Sequence, residues 1–179
     1  MTKTSMTQFV SDNIEENLSN LNTCLICEVL EVDMNTLKAD VLPLNDQEAT
    51  PILDVPIAFH QTDQFIIQIP YKQGDRVLVV CSQADIDPIM FGGGEAASRS
   101  FSANDALIIG GVNLFTSPIQ NEHPDDLVIG TKDFSTKIVI NEAGELSIKS
   151  SKFRVEADDI EFVGGTITAN GEDLTTDLV

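Results

Sequence analysis

The spacing of apolar residues changes abruptly near residue 22. Between residues 5 and 21 the apolar positions lie three or four residues apart, which is typical of an amphipathic helix. These positions are Met6, Phe9, Val10, Ile14, Leu18 and Leu21. We therefore predict a helix or arm over residues 1–22, ahead of a region with a different pattern.

From Thr23 onward the pattern is that of strands. Segments 23–32 and 37–44 are rich in β-forming residues and flank the polar turn at residues 33–35, which predicts a hairpin. Three more strand candidates follow at 52–59, 64–69 and 75–82, and another strand or turn at 105–111. Closely spaced strands with short turns predict a small barrel or sandwich over residues 23–112.

The segment after this domain has the composition of a connection. Residues 113–136 include Pro118 and Pro124 and several Asn and Asp residues, so we predict a linker there. Earlier, the three glycines at 92–94 interrupt any regular element in the irregular stretch 83–104.

Residues 137–169 contain pairs of apolar residues that flank a mostly polar one. The first members of successive pairs are seven or eight residues apart. A strand this short cannot bury its apolar pair alone, so the period indicates stacked strands, as in a β-helix or solenoid. One chain would form only a thin core, whereas three chains could share a common axis. An ordinary antiparallel meander packed on the barrel is the alternative.

We therefore predict that residues 137–179 form a trimeric, strand-stacked prism and its tip. Nine residues are the predicted trimer core: Ile138, Ile140, Leu146, Ile148, Phe153, Val155, Ile160, Phe162 and Ile167. The intervening residues are mainly charged or hydroxylated, which would keep the outside of such a rod soluble.

Charge excludes several classes of partner. The chain has 29 Asp and Glu against 10 Lys and Arg, a net charge of −19. Binding to a phosphate backbone requires clustered basic residues, so we expect no nucleic-acid partner.

The first twenty residues contain one lysine and no apolar core stretch, so we predict no secretory signal. The three cysteines form no disulfide framework, which is consistent with synthesis in a cytoplasm.

Candidate catalytic and metal-binding residues are few. The chain has no Trp, one Tyr and two His, and we predict that it is not an enzyme. Cys24 and Cys27 form a CxxC, but in a strand these positions face opposite sides. Asp85 and Asp87 lack the other ligands of a calcium loop. Arg99 and Asp105 lie six residues apart across a predicted turn and are candidates for a structural ion pair.

The order of several segments resembles the phage baseplate central-spike family, of the baseplate assembly protein V type. The resemblance covers residues 23–111 and rests on order and spacing. The matching residues are Asp54, Val55, Pro56, Gly74, Asp75, Asp85, Asp87, Arg99, Asp105 and Ala106.

This resemblance implies an all-β homotrimer, with an OB-fold barrel followed by an intertwined triple-stranded β-helix. It implies a protein at the tail tip of a virion that docks on the baseplate hub and pierces the host envelope when the tail contracts. Many family members hold iron through a His-x-His near the C-terminus. This chain has no histidine after His123, so we predict no cofactor, and a separate tip protein is a candidate partner.

Two other functions remain as alternatives at this stage. A trimeric tail fibre or receptor-binding module would require exposed aromatic residues or a carbohydrate cleft near the tip. A hydrolase that degrades the envelope would use paired carboxylates, of which Asp158 and Asp159 are one example. An acidic chain contains many such pairs by chance.

Overall fold

The computed structural model describes residues 3–19, 21–46, 48–164, 166–169 and 172–173. The chain divides into two compact units, residues 1–118 and 119–179. The boundary between them falls inside the predicted linker. The first unit begins with helix α1 (Lys3–Ser19), where a helix was predicted. No helix in the described part of the chain is long and apolar enough to cross a membrane.

The rest of the first unit is mainly β-structure. Its elements are β1 (Cys24–Asp33), β2 (Lys38–Pro43), β3 (Ile52–Pro56), β4 (His60–Gln61), β5 (Ile66–Ile67), β6 (Arg76–Cys81), α2 (Asp87–Met90), a 3-10 turn (Ala103–Asp105) and β7 (Ala106–Gly111). Five strands form one antiparallel sheet in the order β3-β2-β1-β6-β7. The predicted hairpin is β1 and β2.

One predicted strand lies outside this sheet. Within residues 64–69 only Ile66 and Ile67 form a strand, and they pair with His60 and Gln61 in a separate small hairpin. Pro70 follows closely and lacks the N–H that a longer ladder requires. The fifth place in the sheet belongs to β7, which pairs with β6.

The sheet is curled, and its two outer strands meet. Ile57, just after β3, forms a parallel bridge with Ile108 of β7. The Ala58 N–H donates to the Ile108 carbonyl oxygen at 2.8 Å. The edge of β3 is therefore partly covered by the last strand of its own sheet, which reduces the unpaired edge.

Alternation along the strands places the core inside this curl. In β6 every second residue is buried, and the residues between them are only half-buried. The buried apolar side chains of the sheet form one cluster: Cys27, Val29, Ala39, Val41, Val55, Ile57, Val77, Val79, Cys81, Ala106 and Ile108. Most are β-branched or small, which suits a strongly curved sheet with a narrow interior.

The second unit contains a three-stranded antiparallel sheet. Its strands are β8 (Leu127–Gly130), β9 (Lys137–Ile140) and β10 (Leu146–Lys149), with β9 in the centre. A two-stranded ladder of β11 (Thr168–Ala169) and β12 (Glu172–Asp173) follows. The linker prediction for residues 113–136 is thus incorrect at β8. Prolines and acidic residues on its N-terminal side obscured a strand of only four residues.

Gly130 permits close pairing at the end of β8. A Cβ added there would lie 2.5 Å from the Thr136 carbonyl oxygen and 2.9 Å from the Lys137 Cβ. We expect Gly130→Ala to lower the free energy of unfolding by about 1–3 kcal/mol, because backbone must move. Gly110→Ala is the matched control in β7, where nothing lies within 4 Å of the added Cβ. Circular dichroism during urea unfolding would measure both, and equal losses would contradict this account.

Candidate self-association surface

One face of the β8-β9-β10 sheet carries two rows of apolar residues. Register places Leu127, Ile140 and Leu146 opposite one another, one from each strand. The second row consists of Ile129, Ile138 and Ile148. Residues directly opposite in antiparallel strands project to the same face, and so do residues two apart in one strand. We call these six residues the apolar face.

The apolar face is open to solvent in the single chain. The exposed fraction of its side chains runs from 37% for Ile138 to 61% for Leu127 and Leu146. On the opposite face of the same central strand, Val139 is 5% exposed and Lys137 is 9% exposed. Contiguous exposed apolar surface of this kind marks an interaction site rather than an ordinary protein surface.

Residues 119–126, which we call the strap, contact the opposite face of this sheet. Lys137 Nζ lies 2.7 Å from Glu122 Oε2 and 2.7 Å from His123 Nε2. The His123 Nδ1 is 3.1 Å from Asp126 Oδ2, and the Phe134 ring centroid lies 5.6 Å from Lys137 Nζ. The hydrogen bond and charge of Lys137 hold the pKa of Glu122 below its usual range.

The structure places four of the nine predicted core residues on one face of a sheet, and the other five lie outside this sheet. Ile138, Ile140, Leu146 and Ile148 belong to the apolar face. Residues 151–164, which were predicted to include two further short strands, contain no strand within the single chain. The predicted core residues of this segment are all exposed: Phe153, Val155, Ile160 and Phe162. Ile167 is half-buried next to β11, and most of the predicted tip beyond it lies outside the described residues.

Sequence reasoning missed Leu127 and Ile129. They alternate around Val128 in the same way as the predicted pairs do. However, the first member of this pair, Leu127, lies eleven residues before Ile138, so the pair departs from the repeat of seven or eight. Alternation alone, taken without the period, was the signal that could have identified them.

A second cluster of functional groups lies in the first unit, around Arg99. Its guanidinium lies 2.5 Å from Asp85 Oδ1, 2.7 Å from Asp87 Oδ2 and 2.7 Å from Asp105 Oδ2. The Asp105 side chain is fully buried, and that of Asp85 nearly so. The predicted Arg99–Asp105 ion pair is confirmed, and it is part of a larger network.

This network fixes the long connection between β6 and β7. Asp85 accepts hydrogen bonds from the backbone N–H groups of Asp87 and Ala97, and Asp105 accepts from that of Ile86. The hydrogen bond from Arg99 is the main cause that holds the pKa of Asp105 below its usual range. The carboxylates considered for calcium therefore bind Arg99, and the described residues include no cluster of His, Cys, Asp or Glu suited to a metal ion.

The cysteines are placed as the strand pattern predicts. Cys24 is exposed, whereas Cys27 and Cys81 are buried in the core of the curled sheet. Burial, with a smaller contribution from Cys81, raises the pKa of the Cys27 thiol to about 11. Because the thiolate is the reactive form, Cys27 behaves as a small apolar core residue near neutral pH.

A family model describes the first unit. The model for the N-terminal domain of phage protein Gp138 matches residues 17–111, more than half of the chain. The chain belongs to this family. The Gp138 N-terminal domain ends with β7 and includes the Arg99 network, whereas the apolar face lies outside the matched residues. This match confirms the part of the sequence prediction that assigned residues 23–111 to a phage protein. The comparison with curated proteins gave no match.

Proposed function

We propose that this protein is the central spike of a contractile-tail baseplate, in a phage or a phage-like particle. In this proposal three copies associate through the second unit, and the first unit docks on the baseplate hub. The observation that carries the proposal is the apolar face, which a lone chain leaves in water. Membership of a phage-protein family supports the setting in a virion.

An OB-type barrel is the architecture that we assign to the first unit. Strands β1, β2, β3, β6 and β7 provide the five strands that this barrel requires. Their order, closed by the parallel bridge between Ile57 and Ile108, supports the assignment. OB folds often bind nucleic acids or sugars, but fold alone does not determine function. A net charge of −19 argues against a nucleic-acid partner.

Association of three copies would bury what the single chain exposes. Completing the burial of a half-exposed Ile or Leu contributes on the order of 1 kcal/mol, and the apolar face supplies six such residues per chain. The exposed alternating residues of segment 151–164 would extend this core by pairing with strands of other copies. Leu127 and Ile129 join the predicted core residues in this arrangement. A trimer with interleaved strands would unfold slowly under force, because no chain can separate alone.

The β4-β5 hairpin is the surface we assign to hub docking. Phe65 is 76% exposed, and Ile66, Ile67 and Ile69 are each about half exposed or more. These side chains lie close together in a short hairpin and form a contiguous exposed apolar surface. Such a surface is typical of an interaction site. The role in this proposal is mechanical, with no catalysis and no cofactor, and the spike contacts the host envelope only as the tail contracts.

The location and copy number of the protein in particles test this proposal. We expect three copies per purified particle by quantitative mass spectrometry, and immunogold label only at the distal end of the tail. The matched control is a tube protein of the same particle, which should label along the tail. Absence of the protein from purified particles, or label along the whole tail, would contradict the proposal.

A further inference from the structure

The contacts of the strap determine where His123 carries its proton. A lysine ammonium has three donor hydrogens and no acceptor. Because Lys137 Nζ lies 2.7 Å from His123 Nε2, that nitrogen must accept and therefore has no proton. The ring proton then lies on Nδ1, which donates to Asp126 Oδ2 at 3.1 Å. The strap is closed by a neutral histidine in one defined tautomer.

We propose that His123 is a pH-sensitive latch that holds the strap on β9. Histidine is the side chain that normally changes charge between about pH 5 and 8. A second ring proton would sit on Nε2 and point at the Lys137 ammonium. The hydrogen bond would be lost, and two positive groups would face each other at 2.7 Å. Lys137 cannot easily withdraw, since it is 9% exposed and lies under Phe134.

The other charged groups near the ring do not remove this conflict. Asp126 accepts from Nδ1 in both protonation states, and a charged ring strengthens that contact, but Asp126 offers no acceptor to a proton on Nε2. Glu122 is bound to the Lys137 ammonium at 2.7 Å, and the positive charges of Lys149 and of a protonated His123 also act on it. The contact between His123 and Lys137 is the one that changes from attraction to repulsion. The strap is therefore held at neutral pH and released as the pH falls.

Hydrogen exchange of the strap tests the latch, on the full chain, between about pH 7.5 and pH 5.5. The His123 N–H donates to Asn121 Oδ1, and the Asp126 N–H to the His123 carbonyl oxygen, so a peptide spanning residues 119–126 contains amides whose exchange reports how ordered the strap is. After correction for intrinsic exchange rates, we expect its protection to fall roughly fivefold at the lower pH, as for one lost hydrogen bond.

Variants make this test specific to the latch. His123→Gln accepts a hydrogen bond from Lys137 at any pH, and Lys137→Met removes the opposing charge, so protection should be independent of pH in both. His60→Gln, which changes the exposed histidine of β4, should behave like the wild type. The same pH profile in His123→Gln and the wild type would overturn the proposal.

Ring nitrogen shifts provide a test that requires no variant at position 123. The chain has two histidines, so a sample labelled with ¹⁵N-histidine gives two ring systems, and His60→Gln assigns them. We expect the Nδ1–H tautomer for His123 at neutral pH. An Nε2–H tautomer would overturn the proposal, because it cannot accept from Lys137. Both tests are independent of the proposed spike function, since they concern one face of one sheet.

Discussion

If three copies associate as proposed, Ile148→Lys should leave single chains at micromolar concentration. The substitution places an ammonium on the apolar face, where association would bury it without a partner. Burying an unpaired charge costs several kcal/mol, more than one buried isoleucine contributes. Three copies would bring three such charges together. Multi-angle light scattering of the purified variant measures the result directly.

Ile109→Lys is the matched control for this variant. Ile109 lies in β7 and is 47% exposed, against 46% for Ile148, so the two substitutions change similar residues with similar exposure. We expect Ile109→Lys to leave the mass unchanged. Two results would show that the apolar face is not the association surface. One is a trimeric mass for Ile148→Lys, and the other is an equal decrease in the mass in solution for both variants.

Arg99→Met should lower the thermal unfolding midpoint of the first unit by roughly 10 °C, since removing one partner of a buried ion pair is strongly destabilising. The variant leaves the buried carboxylates of Asp85 and Asp105 without their cation. Arg154→Met is the control, because Arg154 pairs with Glu156 at the surface and is 71% exposed. We expect a change of about 1 °C or less there. Thermal unfolding followed by circular dichroism measures both.

The difference in thermal unfolding midpoint between Arg99→Met and the wild type should become smaller as the pH is lowered. In the wild type, Arg99 holds the pKa of Asp105 below its usual range, so the stabilisation is present above the unfolded-state pKa and is lost only as pH falls through the folded-state pKa. In the variant, which lacks the guanidinium, burial favours the neutral form of the Asp105 carboxyl. Lowering the pH protonates this group and so removes an unpaired buried charge. A difference in unfolding midpoint between variant and wild type that grows as the pH is lowered would contradict this prediction.

Much of the first unit was predictable because period-two alternation and burial coincide there. In β6, Val77, Val79 and Cys81 are buried in turn, so the pattern directly reports the core. The Arg99–Asp105 pair was also predictable from its spacing. The addition of Asp85 and Asp87 was not, because their approach depends on the path of the connection between β6 and β7. Segment 64–69 looked like a barrel strand because four of its six residues are apolar, yet those four side chains remain exposed.

The second unit was harder to predict because the burial that its apolar pattern implies is not found within the single chain. The apolar pairs at 138/140 and 146/148 do form strands, and their register places them on one face. These residues are exposed in the single chain, and in the proposed trimer their partners across that face belong to other copies. The contact between the strap and β9 could not be predicted for a different reason. The contact between Lys137 and His123 joins residues 14 apart through side chains and leaves no periodic signal.

The mass of the purified wild-type protein in solution tests self-association most directly. Light scattering at micromolar concentration should give a single species of three times the chain mass of 19.4 kDa. That species should persist on dilution and in mild detergent, as expected for chains that share strands. A species of 19.4 kDa under the same conditions would contradict the account, because the apolar face would then be exposed in the functional protein.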